Sequence, residues 1–129
     1  MGFSPRSILV LGALAAATLG ACSNNDNGEI TNVTPPATKP DAPSNLTATV
    51  ASSTSIKLMW VDNSSYESGY RVERSTDGVT WTQVATAPAN ATSWTNYFLT
   101  AHTTYFYRVR AYEGSTNGDY STVVSAATP

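Results

Sequence analysis

From Pro43 onward, short runs place an apolar side chain at every second position, and turn residues interrupt them about every ten positions. Ile56, Leu58 and Trp60 share one side of the run Ser55–Val61. Tyr105, Tyr107, Val109 and Ala111 share one side of Tyr105–Glu113. A period of two belongs to a strand with one face in a core and the other in water. No stretch after the first 21 residues carries the 3.6-residue period of an amphipathic helix. The pattern restricts this region to an all-β architecture, an antiparallel sandwich in which each strand gives one face to a shared core.

Seven strands are expected, near 45–51, 55–61, 69–75, 80–85, 92–96, 105–113 and 120–127. Tyr70 and Val72 point inward on the third. Asp77-Gly78 supplies a tight turn before the fourth, because glycine accepts the positive φ that a short hairpin requires. Trp94, on the fifth strand, is expected in the core.

Several motifs along this stretch, taken in order, carry a resemblance. Pro43 and Leu46 open it, Leu58-Met59-Trp60 and Tyr70-Arg71-Val72-Glu73 follow, and Leu99 precedes Tyr105 by six residues. Tyr105-Phe106-Tyr107-Arg108-Val109-Arg110-Ala111 and the closing Ala127-Thr128-Pro129 complete it. Together they resemble a fibronectin type III domain, an immunoglobulin-like seven-stranded sandwich, over residues 43–129. The resemblance implies that Tyr105 forms a tyrosine corner, with its hydroxyl bonded to backbone upstream. It also implies a core position for Trp60. Where the family often has Pro-Gly in the bend before the sixth strand, this chain has Ala101-His102. Histidine enters the left-handed region more readily than most residues, so the bend is expected to survive.

The N-terminal part has a different character. Arg6 precedes an uncharged apolar run, and Ile8 to Ala21 gives 14 residues before the polar Ser23-Asn24-Asn25-Asp26-Asn27. A stable membrane span needs about 20 apolar residues, so residues 1–21 read as a cleaved export signal. Leu19-Gly20-Ala21-Cys22 resembles the lipobox of bacterial lipoproteins, and Cys22 is the only cysteine. The resemblance implies a lipid on Cys22 and anchoring in the bacterial cell envelope. Ser23, rather than Asp, follows the cysteine, which by the enteric pattern favours the outer membrane. Residues 22–42, with Pro35-Pro36 and Pro40, read as the lipidated cysteine and a flexible linker ahead of the domain at 43–129.

Composition narrows the chemistry. Formal charge is −2, and it falls to −3 when Arg6 leaves with the signal. There is no basic run, so nucleic acid is not an expected partner. With Cys22 committed to the anchor, no cysteine remains for a disulfide or a thiolate metal site. His102 is the only histidine and sits in a bend, which argues against a nucleophilic triad and against zinc. Asp62, Asn63, Glu67 and Asp119 would supply calcium oxygens only if their loops converged, and no calcium-loop motif is present. No catalytic residue, metal or cofactor is expected.

The outward side of the third and sixth strands is the main candidate surface. Alternation turns Arg71 and Glu73 outward on one, and Phe106, Arg108 and Arg110 on the other. Arginines beside an exposed aromatic suit a protein contact, and the same residues suit cross-strand ion pairs on a solvated sheet. Trp81 either covers the sheet edge or stacks on a sugar ring. The expected role is a non-catalytic, membrane-tethered binding or structural module with a protein or polysaccharide partner. The alternative is a carbohydrate-binding or accessory module of an extracellular or envelope enzyme complex.

Overall fold

A computed structural model describes residues 39–129. Cys22, the expected export signal and most of the expected linker lie outside the described residues. The compact unit begins at Lys39, four residues ahead of the expected start of the domain. Pro40 is fully buried. A Cβ on Gly118 would stand 2.4 Å from the Pro40 carbonyl oxygen, so only glycine lets the incoming chain lie this close. Lys39 Nζ completes the attachment with a 2.8 Å ion pair to Asp119.

Among the described residues, eight strands form two antiparallel sheets. They are β1 (Ser44–Ser52), β2 (Ser55–Val61), β3 (Gly69–Ser75), β4 (Thr82–Pro88), β5 (Ser93–Asn96), β6 (Thr104–Glu113), β7 (Thr116–Tyr120) and β8 (Val124–Ala127). The smaller sheet has the order β1-β2-β5. The larger has the order β4-β3-β6-β7, with β8 also paired to β6. The seven strands expected from the sequence become eight because residues 116–120, expected mostly as a loop, form a strand of their own, and the last expected strand keeps only Val124–Ala127. Ser121 donates its N–H to the Val109 carbonyl at 2.7 Å, and its side-chain Oγ accepts the Val109 N–H at 3.0 Å. A hydroxyl thus takes the place of a main-chain carbonyl, and the regular ladder stops between Tyr120 and Val124. The β3–β4 connection is also longer than a two-residue hairpin, and β4 starts at Thr82 rather than near Thr80.

The core is the set of inward side chains expected from alternation. Leu46, Ile56, Leu58 and Trp60 come from the smaller sheet; Tyr70, Val72, Tyr105, Tyr107, Val109 and Ala111 come from the larger. Trp60 and Tyr70 meet across the two sheets with ring centroids 5.5 Å apart. Trp94 packs against this cluster but is only partly buried. Buried hydroxyls find partners, as satisfaction of polar groups demands. Asn96 Nδ2 donates to the Tyr107 hydroxyl at 2.9 Å, and the Tyr70 hydroxyl donates to Asp62. The Tyr105 hydroxyl accepts the Thr100 N–H at 2.9 Å, which is the tyrosine corner. His102 sits in the bend at φ 54°, as expected.

Candidate functional site

Cross-strand register brings most of the expected surface residues together. Glu73 on β3 stands opposite Arg108 on β6, and Arg71 stands opposite Arg110. Arg110 in turn stands opposite Tyr120 on β7. Arg108 Nε and Nη2 both donate to Glu73 Oε1, at 2.9 and 2.7 Å. The Tyr120 hydroxyl donates to Glu73 Oε2 at 2.8 Å, and Arg110 Nη2 lies 3.7 Å from the same oxygen. Glu73 is buried by these neighbours, with a side chain only 10% exposed. Burial pushes its carboxyl pKa up, but the bonds from Tyr120 and Arg108 and the two guanidinium charges outweigh it. The net effect holds Glu73 below the ordinary carboxylate range.

Aromatic rings cover the cations. The Arg108 guanidinium lies 4.3 Å from the centroid of Trp81 and 3.8 Å from that of Tyr120. Arg110 lies 4.4 Å from the Tyr120 ring, and Arg71 lies 4.2 Å from the Tyr112 ring. Each such contact contributes about 0.5–1 kcal/mol where it is exposed and more where water is excluded. The result is a ladder of stacked arginines and aromatics across the outer face of the larger sheet.

One expectation changes here, and one alternative gains support. Phe106 is not an exposed aromatic; it is partly covered and packs beside the Gly78 turn. Trp81 is half-buried with Arg108 over one face of its ring, an arrangement that suits the sheet-edge reading. Tyr112 and Tyr120 belong to the cluster and were not among the expected residues. Tyr112 continues the outward series Phe106, Arg108, Arg110 on the sixth strand, a signal the alternation carried; Tyr120 lies on another strand, and alternation within one strand does not show which neighbours meet.

The acidic residues considered for calcium have local duties. Asp62 accepts the Tyr70 hydroxyl and the Ser64 N–H, and Asp119 pairs with Lys39. Among the described residues, no group of three His, Cys, Asp or Glu side chains is placed to hold a metal ion. Asp77 accepts bonds from the backbone N–H of Thr80 and Val79 and from the Ser75 hydroxyl. These lower its pKa to about 2 and fasten the β3–β4 turn.

A second surface lies at the pole of the sandwich away from the entering chain. It includes the β1–β2 turn and the connection between β5 and β6. Tyr97 is 63% exposed there, and Phe98 is 99% exposed. Phe98 has φ 60°, one of four non-glycine residues with positive φ among the described residues; the others are Asn45, Asn90 and His102. Asn and His are enriched in that region, whereas a bulky residue there is an outlier. The sequence showed an aromatic pair in a loop, without a sign that both rings face water.

Comparison with known proteins agrees with this geometry. The family model described as fibronectin type III domain matches residues 41–127. The chain belongs to the fibronectin type III family. The sixth fibronectin type III domain from human fibronectin type III domain containing protein 3 is 26% identical, with a TM-score of 0.61; the match covers 74% of this chain and 91% of that one. A beta-1,2-glucanase from Parabacteroides distasonis is also 26% identical with a TM-score of 0.61, and the match covers 71% of this chain and 14% of the glucanase. An alpha-amylase from Niallia circulans is 39% identical over 94 residues. That match takes in 70% of this chain but spans only 7% of the amylase's length. The fibronectin type III sandwich is a typically non-catalytic fold, and these enzyme matches fall on a small part of each enzyme.

Proposed function

We propose that this fibronectin type III domain is a non-catalytic accessory module that serves glucan-active machinery outside the cytoplasm, held at the bacterial envelope by a lipid on Cys22. The observation that carries the reading is the 39% identity to a segment making up 7% of an alpha-amylase. The glucanase similarity points the same way. A segment that small relative to its enzyme suits an appended module better than a catalytic body. A family fold leaves function to the surface, so the surface must supply the contact. The ladder of Glu73, Arg108, Arg110, Trp81 and Tyr120 spends its charges and rings on one another, which suits a stiffener of the sheet. Arg71 and Phe106 are likewise covered by Tyr112 and the Gly78 turn. The anchor is motivated by Leu19-Gly20-Ala21-Cys22 and by the polar segment after it. Two acyl chains suffice for stable anchoring, while one gives marginal binding.

The test has two parts. Full chain and Cys22→Ala are produced in a bacterial host, and their intact masses and detergent partitioning are compared. The expected result is an added lipid mass and detergent-phase partitioning that Cys22→Ala abolishes; a soluble protein without lipid overturns the anchor. The second part is retention on insoluble starch, a β-glucan and chitin. Retention on a glucan is expected, and failure on all three argues for a protein partner instead.

A further inference from the structure

We infer that Tyr97 and Phe98 form a contact site for an uncharged polysaccharide chain, at the pole of the sandwich opposite the point where the chain enters. The inference rests on the glucan reading above and assigns it a surface.

Three observations on this connection converge. The first is exposure: Phe98 is 99% exposed and Tyr97 63%, so neither ring contributes much to the core. A single exposed apolar residue is ordinary, but two adjacent aromatics held out at one loop are a feature that folding alone does not require. The second is backbone strain. Phe98 occupies the left-handed region at φ 60°, where a bulky side chain is unfavourable and glycine or asparagine is not. Strain of this kind persists where the surroundings over-determine it, and it concentrates at ligand sites. The surroundings do over-determine it here. The next residue, Leu99, is buried and donates its N–H to the Thr54 carbonyl at 2.9 Å. One residue further, the Thr100 N–H is held by the Tyr105 hydroxyl at 2.9 Å. On the other side, Asn96 is buried and bonded to Tyr107. The two rings are carried on a segment clamped at both ends, so little ordering entropy is lost when a ligand arrives.

The third observation sets the chemistry of the ligand. From Gly78 to Tyr107 the sequence contains no Asp, Glu, Lys or Arg. Thr54, whose carbonyl accepts the Leu99 N–H, its neighbour Ser53, and Thr100 and His102 on the same connection are all exposed. Lys57 faces Thr95 on the smaller sheet, and Arg74 of the larger sheet lies 5.3 Å from the Tyr105 ring. Aromatic faces beside hydroxyls, without formal charge, match a polymer that offers apolar C–H faces and hydroxyl groups and carries no charge. An acidic polymer or an anionic lipid surface would call for a cluster of free cations, whereas the guanidinium at this pole, Arg74, is half-buried over the Tyr105 ring. The arginine-rich outer face of the larger sheet has the opposite character.

Affinity electrophoresis tests this directly. Full chain is run through native gels containing soluble starch, linear β-1,2-glucan or, as an anionic control, carboxymethylcellulose. The expected result is retardation by at least one neutral glucan. Phe98→Ala and Tyr97→Ala then weaken it at least about fivefold, a loss typical of a contact residue that dominates binding. Phe98→Gly removes the ring and relieves the backbone. It is expected to lose binding while its melting temperature rises, which separates loss of contact from loss of fold. Trp81→Ala is expected to keep the retardation. Retardation of the parent chain that survives in Tyr97→Ala and Phe98→Ala overturns the site and leaves the glucan reading standing. A parent chain that no neutral glucan retards overturns both. Retardation only by carboxymethylcellulose moves the contact to the arginine face and overturns the site.

Discussion

The outer faces of the two sheets are built from different chemistry. On the larger sheet, Glu73, Arg108, Arg110, Tyr120 and Trp81 are tied to one another by ion pairs, hydrogen bonds and ring contacts. On the smaller sheet, Lys57, Met59 and Val61 of β2 stand exposed and reach their neighbours through the backbone ladder. That sheet runs down to Tyr97 and Phe98, which are also exposed. The difference teaches that charge content is a poor guide to the binding surface. Glu73 on the charged face has both carboxylate oxygens bonded internally and gains little by being desolvated for a partner. The aromatic pole has ring area still in water and has more to gain.

The largest expected effect comes from breaking the satisfied face. Arg108→Ala removes both guanidinium bonds to Glu73 and leaves its carboxylate buried, with Tyr120 and a 3.7 Å Arg110 as remaining partners. It also uncovers Trp81 and Tyr120. Removing one partner of a fully buried pair costs about 3–5 kcal/mol; partial exposure of Arg108 reduces that to about 2–3 kcal/mol. Lys57→Ala on the other sheet should change stability by less than about 0.5 kcal/mol. Urea unfolding of both variants checks the contrast, and equal effects would remove the distinction between the faces.

Acid sharpens the same comparison. Glu73 has a folded-state pKa held below its unfolded value, and so does Asp77, at about 2. A lowered carboxylate stabilises the fold fully above its unfolded pKa, and that contribution is lost as pH falls through the folded value. The loss therefore runs from about pH 4.3 downward for Glu73 and over about pH 4 to 2 for Asp77. Glu67 works in the opposite sense, because burial and the neighbouring Asp62 raise its pKa. Its charging weakens the fold as pH rises, so the net acid response is the difference of the two effects. Glu73→Gln isolates one side of it: the variant should be less stable than the parent at pH 7, with a gap that narrows below pH 4. Urea midpoints at pH 7, 4 and 3 measure it, and a gap independent of pH would mean that Glu73 acts by packing rather than charge.

A smaller effect lies at the corner that supports the Tyr97–Phe98 pole. Tyr105→Phe keeps the ring and deprives the Thr100 N–H of its 2.9 Å acceptor. Thr100 is exposed, so water replaces part of the bond, and the expected cost is about 1 kcal/mol. Amide hydrogen exchange at Thr100 should accelerate well beyond what that global loss explains, because the clamp opens locally.

Much of the fold was legible, for reasons that particular residues show. Strand β2 alternates Ile56, Leu58 and Trp60 against Lys57 and Met59, and β6 alternates over four inward residues; both patterns survive in the burial. Leu99 and Tyr105 marked the corner correctly. The break at Ser121 was not legible, since it depends on a hydroxyl replacing a carbonyl opposite Val109. Lys39 and Pro40 looked like linker by composition, and their docking depends on the missing side chain of Gly118 on a distant strand. The charged half of the surface was partly legible. Arg71, Glu73, Arg108, Arg110 and Trp81 do share a face, and Tyr112 joins it by the alternation of β6, but Tyr120 reaches it through the register of β7 with β6. The Tyr97–Phe98 pole was not legible, because side-chain direction there is set by a left-handed φ rather than by strand alternation.

That φ yields the smallest predicted effect and the one with the opposite sign. Phe98 buries almost nothing, so replacing it sacrifices little hydrophobic stabilisation. The left-handed conformation costs a residue with a Cβ about 1–2 kcal/mol, and glycine avoids that penalty. Glycine in turn loses more chain entropy on folding, by about 0.5–1 kcal/mol. The balance predicts that Phe98→Gly stabilises the domain by about 0.5 kcal/mol. Phe98→Ala, which keeps the Cβ, should leave stability unchanged. Thermal unfolding of the two variants beside the parent gives the answer. A gain for glycine and none for alanine would show that the exposed ring sits on strained backbone, held at a cost that the fold itself does not return. If glycine destabilises the domain, the strain is absent, and the case for the pole as a built contact surface loses one of its three supports.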